Sequence, residues 1–171
     1  MHETLEGMRR FLETGGPVLW LIGLTAVLLG TLIIESYWRS RRDFPKQMAQ
    51  DIKDWHQRTD RGSWSALRIR DARIAAAGIR LKRTLPLINI LVALCPLFGL
   101  LGTVTGMMAV FDVIAVLGTG NVRGMAAGIS QATIPTMAGM VVALPGIYFR
   151  VALQREASRR IEQFADRLSI N

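Results

Sequence analysis

Cysteine and histidine are nearly absent from this chain: Cys95 stands alone, and His2 and His56 are the two histidines. A lone cysteine excludes a disulfide within the chain, and Cys95 reads as a buried apolar residue. No cluster of Cys, His or acid offers itself to a metal, and no nucleophile lies beside a base, so neither a metal site, a catalytic residue nor a cofactor is expected. Charge is missing as well, from three long stretches. Residues 14–34, 84–111 and 124–149 contain no Asp, Glu, Lys or Arg. A helix of about 20 residues crosses roughly 30 Å of hydrocarbon. The sequence therefore predicts an all-α integral membrane protein with three transmembrane helices, the second and third forming a long antiparallel hairpin, plus cytoplasmic helical extensions. The first run is too long for the apolar core of a secretion signal. Arg39, Arg41 and Arg42 follow it in place of a small-residue cleavage site, so it is expected to stay as an anchor.

What is present is basic charge, unevenly placed. The formal charge is +8, and residues 35–83 hold thirteen Lys and Arg, residues 150–171 five, the segment before Pro17 two, and the turn between the last two runs only Arg123. Under the positive-inside tendency, 35–83 and the C-terminal tail lie in the cytoplasm, with the N-terminus and the turn outside. Arginines beside membrane spans face water and anionic lipid headgroups, so membrane lipids rather than nucleic acid are the expected partners of this charge.

The chain divides accordingly. Residues 1–16 form an external segment with Leu5, Met8, Phe11 and Leu12 at helical spacing. Residues 17–38 form the first transmembrane helix, opened by Pro17 and closed by Tyr37 and Trp38 at headgroup level. Residues 39–84 are a cytoplasmic helical region: Phe44, Met48, Ile52 and Trp55 share one face, a break falls at 59–63, and Trp64, Leu67, Ile74, Ile79 and Leu81 continue beyond it. The second span, 85–117, is expected to bend at Pro96, where a backbone hydrogen bond is lost. A turn at 118–123, a third span at 124–150 and a cytoplasmic C-terminal helix at 151–171 complete the chain.

Inside the hairpin the polar residues have a depth. Thr103 lies fifteen residues before Gly118 and Thr136 thirteen after Arg123. Each is therefore roughly 20 Å from the outer end. Gly99, Gly102, Thr103 and Gly106 form one stripe on the second span, and Gly128, Ala132, Pro135, Thr136, Gly139 and Ala143 a matching stripe on the third. Such stripes serve close helix packing, or they line a pore face. Gln131 sits a turn from Thr136, and Pro135 deprives its carbonyl of the usual amide donor. Thr103, Thr136 and Gln131 are thus the candidate lining of an ion pathway. Asp112 lies nine residues outward of Thr103, so any titrating carrier within the membrane is expected from another chain.

The stretch Cys95-Pro96-Leu97-Phe98-Gly99-Leu100-Leu101-Gly102-Thr103-Val104-Thr105-Gly106-Met107 resembles the second membrane helix of ExbB, TolQ and MotA proteins. Gly128-Ile129-Ser130-Gln131-Ala132-Thr133-Ile134-Pro135-Thr136-Met137-Ala138-Gly139, followed by Val142-Ala143-Leu144-Pro145, resembles the third. Length is similar to a short ExbB-like subunit rather than a MotA stator. The resemblance implies a multi-pass protein of the bacterial inner membrane, with its N-terminus and the 118–123 turn periplasmic. It further implies a homopentamer around a pore, an ExbD-like single-span dimer inside it carrying the proton on an aspartate, and a TonB-like protein energised for outer-membrane uptake. Thr103 and Thr136 match the pore threonines of the family, whereas Gln131 stands where many members carry a glutamate and cannot release a proton. A TolQ-like role in envelope maintenance, and a membrane scaffold without conduction, are the alternatives.

Overall fold

A computed structural model describes residues 15–57, 63–118 and 121–168, and these form four helices: α1 (Gly16–His56), α2 (Trp64–Lys82), α3 (Leu85–Leu117) and α4 (Val122–Arg167). No strand occurs among the described residues, and three helical stretches are long and apolar enough to cross a membrane, in α1, in α3 and in α4. The expected all-α class with three membrane-length helices is what the chain adopts. The N-terminal pattern of Leu5, Met8, Phe11 and Leu12, the break at 59–62 and residues 119 and 120 of the turn lie outside the described residues.

Local chemistry sets the helix ends. Ser63 is extended (φ −72°, ψ 155°), and its hydroxyl accepts from the Ala66 amide at 3.3 Å, satisfying one of the orphan donors of α2. Asn121 does the same for α4, its Oδ1 accepting from the Gly124 amide at 3.1 Å. Gly118, at φ 72°, ends α3 with its amide donating to the Ile114 carbonyl at 3.0 Å. A left-handed residue of this kind is cheapest as glycine.

Two helices, α1 and α4, run farther than their membrane stretches. α1 continues from the apolar run past Trp38 and through Pro45 to His56 without interruption. Nothing between Trp38 and Pro45 breaks a helix. Arg41 and Arg42 stack over Tyr37 and Trp38 one turn earlier, with centroid distances of 4.9 and 4.8 Å, so the polar exit is made on the helix surface. α3 is likewise continuous through Pro96, and α4 through Pro135 and Pro145.

The chain folds as two compact units, one made of the described part of residues 1–30 with 90–147, the other of 31–89 with 148–168. In the first, Val18, Leu19 and Ile22 of α1 pack on Phe98 of α3 and on Ile134, Ala138 and Val142 of α4. In the second, Phe44, Trp55, Ala66, Ala77, Leu81, Ala157, Phe164 and Leu168 form the core, with Phe44 and Phe164 edge to face at 6.5 Å. Trp55 is fully buried, and truncating such an aromatic to alanine costs about 3–5 kcal/mol. Arginines close the helix ends of this unit. Arg70 Nε donates to the Leu168 carbonyl at 3.1 Å and Arg73 to the Asp51 carbonyl at 2.8 Å. The Leu168 carbonyl lies just past the end of α4, where carbonyls lack helical partners and cations are favoured, and Asp51 lies just before the last turn of α1.

Candidate channel face on the α3–α4 hairpin

The small-residue stripes of α3 and α4 meet each other within one chain. A Cβ placed on Gly106 would lie 2.5 Å from the Ala132 Cα, and one placed on Gly139 would lie 2.6 Å from the Cys95 carbonyl oxygen. Backbone is the obstacle in both cases, so only glycine permits this approach. Gly99, Gly102 and Gly128 are buried along the same line, as are Ala132, Pro135 and Ala143. Gly99, Gly102 and Gly106 of α3 and Gly128, Ala132, Pro135 and Gly139 of α4 therefore belong to the contact between the two helices.

That contact line divides the hairpin into two flanks. Successive residues of a helix are turned by roughly 100°, and antiparallel helices turn in opposite senses when viewed down the pair. Thr103 and Thr136 consequently fall on one flank. Phe98, Gln131, Ile134, Ala138 and Val142 fall on the other, which is the flank that α1 covers: Val18, Leu19 and Ile22 rest on four of these residues. Gln131 is held there too. A Cβ placed on Gly16 would lie 2.8 Å from the Gln131 Nε2, and the φ of 69° at Gly16 is the conformation that favours glycine at the start of α1. The structure thus brings Thr103 and Thr136 to one side and sets Gln131 on the opposite side.

The uncovered flank is apolar apart from hydroxyls. Leu100, Val104 and Met107 of α3 and Ile129, Met140 and Leu144 of α4 are exposed on it. Among them Thr136 Oγ1 donates across the hairpin to the Gly99 carbonyl at 3.2 Å, and Thr103 Oγ1 donates to the Leu100 carbonyl at 2.7 Å. Thr133, quoted in the sequence motif but not singled out there, also lies on this flank, with Oγ1 donating to the Ile129 carbonyl at 2.9 Å. The signal for it was its spacing from Ile129, Thr136 and Met140, which is that of one helix face. Each hydroxyl spends its proton on a backbone carbonyl and keeps lone pairs for accepting. Such a row accepts hydrogen bonds from water, from a hydrated proton or from a protonated carboxyl, and cannot itself titrate. Thr105, by contrast, lies seven residues from Phe98 on that residue's side of α3, and its Oγ1 donates to the Leu101 and Gly102 carbonyls, both at 3.1 Å. Asp112 is exposed near the Gly118 end of α3.

Residues 42–166 match the model of the MotA/TolQ/ExbB proton channel family. The chain belongs to that family. Two similar proteins of Synechocystis sp. are described as ExbB-like biopolymer transport proteins. ExbB-like 1 is 39% identical over 90 residues, which is 50% of this chain and 35% of that protein. ExbB-like 3 is 38% identical over 71 residues, 40% of this chain and 34% of that protein. The chain thus matches only about a third of the length of these relatives. No solved structure matches it. Thr103, Thr133 and Thr136 bring hydroxyls to the flank that α1 leaves open, while Thr105, Asp112 and Ser130 are exposed elsewhere on the hairpin.

Proposed function

We propose that this chain is the pore-forming subunit of an inner-membrane motor driven by the proton-motive force, energising a TonB-like protein for uptake across the outer membrane. The observation that carries the reading is the open flank of the α3–α4 hairpin. Thr103, Thr133 and Thr136 line it at mid-membrane depth, opposite the flank covered by α1. Copies of the chain, five by family analogy, turn this flank toward a shared axis. A single-span ExbD-like dimer stands in that axis and brings a titrating carboxylate to the depth of these threonines, where residues 84–111 and 124–149 have none. The threonine hydroxyls accept from the carboxyl when it is protonated and from water when it is not, so the proton moves without an acid of the wall itself. The N-terminus and the 118–123 turn lie on the periplasmic side, as the distribution of Lys and Arg supports.

A scaffold without conduction has one observation in its favour, the use of every stripe glycine in helix packing. Replacing Gly102 or Gly139 with leucine does not separate the two readings, because those side chains collide within the chain. The oligomer and its partner do separate them. The native mass of the full chain, purified in detergent with and without a co-expressed single-span partner, is expected to correspond to a ring of several copies, heavier by a partner dimer when the partner is present. A monomer under both conditions contradicts the pore.

A further inference from the structure

The helix face at the inner end of the α1 membrane stretch is used by neither the hairpin nor the cytoplasmic core. Ile34, Trp38 and Arg42 follow one another at i, i+4 and i+8, with Arg41 beside them, so apolar, aromatic and basic side chains succeed each other along one side of the helix. Ile34 is 63% and Trp38 54% exposed, large values for residues of this kind. The Arg42 guanidinium lies 4.8 Å above the Trp38 ring, and that of Arg41 4.9 Å above Tyr37. Thr31, Ile34, Glu35, Trp38 and Arg39 line a shallow groove of about 400 Å³ alongside.

Charge decides what fits. Glu35 is held by Arg39 at 3.0 Å, and Arg39 also donates to the buried Thr84 hydroxyl, so this acid is already neutralised inside the chain. The guanidinium groups of Arg41 and Arg42 lie over the Tyr37 and Trp38 rings, and both arginines are exposed. A planar fork of that kind binds phosphate through paired hydrogen bonds. Directly below lie a tryptophan and an apolar groove on a helix that is long and apolar enough to cross a membrane. We propose that this face is a binding site for one anionic phospholipid. Arg41 and Arg42 hold the phosphate, the Trp38 ring lies at the glycerol level, and an acyl chain follows the groove past Ile34 and Thr31. The site does not rest on proton conduction, since it is defined by α1 and not by the hairpin.

The test is lipid retention by the full chain. Protein extracted in detergent is incubated with equal amounts of dioleoyl phosphatidylglycerol and dioleoyl phosphatidylcholine, and bound lipid is read by native mass spectrometry. Wild type is expected to retain the anionic lipid about tenfold over the zwitterionic one, and R41Q/R42Q to fall near parity. R159Q/R167Q removes the same two charges from α4 and is expected to keep the wild-type ratio. Trp38→Ala lowers retention of the anionic lipid while leaving the helix content by circular dichroism unchanged. Parity in the wild type overturns the proposal, as does an undiminished ratio in R41Q/R42Q. An equal loss in R159Q/R167Q also overturns it, since net charge alone would then explain binding.

Discussion

The two flanks of the α3–α4 hairpin are built from the same kinds of residue and end in different situations. On one, Phe98, Ile134, Ala138 and Val142 are covered by Val18, Leu19 and Ile22 of α1, and Gln131 is fixed against Gly16. On the other, Leu100, Val104, Met107, Ile129 and Met140 stay exposed, and three hydroxyls interrupt them. The covered flank holds a half-buried amide set against the start of α1. The open flank holds hydroxyls that donate to backbone carbonyls and, among the described residues, keep lone pairs for accepting. A polar group in a membrane helix therefore takes its role from the side of the helix that carries it, and depth alone does not assign one.

The contact line that separates the flanks gives the largest expected effect. Gly106→Leu drives a side chain into the backbone at Ala132, and overpacking against backbone that cannot retreat costs about 3 kcal/mol or more. The variant is expected to lose its thermal transition in detergent, monitored by tryptophan fluorescence; an unchanged midpoint means the hairpin does not pack along this line. A smaller effect compares hydroxyls. Thr133→Val, on the open flank, is expected to lower proton flux about fivefold, and Thr105→Val to leave it within about twofold, in line with a hydrogen-bonding group worth about 1 kcal/mol. Equal effects of the two substitutions would erase the distinction between the faces. The smallest effect belongs to Gln131. Gln131→Leu removes the amide beside Gly16 and is expected to lower stability by about 1 kcal/mol, read as a modest fall in midpoint, with flux nearly unchanged. A large loss of flux would place Gln131 in the ion path.

Much of the fold was legible because its causes are local in sequence. Three charge-free runs long enough for hydrocarbon announce three spanning helices, and Gly118 and Asn121 mark a stop and a start through their own backbone and side-chain chemistry. The motifs around Thr103 and Thr136 pointed to the family whose model matches residues 42–166. The passage of α1 through Pro45 was less legible, since a change from apolar to charged residues reads as an end although nothing there breaks the helix. Least legible was the side on which α1 sits. A helical wheel orders Thr103, Gln131 and Thr136 around their own axes but says nothing of which neighbour covers which arc. That is decided by Val18, Leu19 and Ile22, more than a hundred residues before Gln131. Grouping Gln131 with the threonines by depth therefore joined residues that the packing separates.

The open flank is tested most directly by proton flux into liposomes that contain the full chain together with a co-expressed ExbD-like single-span protein, comparing wild type with Thr103→Val/Thr136→Val. Valine nearly preserves the volume of threonine and removes both hydroxyls, while the native mass of the complex reports whether assembly survives. Flux reduced by about tenfold or more in an intact complex is the expected result, the loss of two hydrogen-bonding groups at about 1 kcal/mol each. Wild-type flux in an intact complex would contradict the assignment of this flank to the ion path.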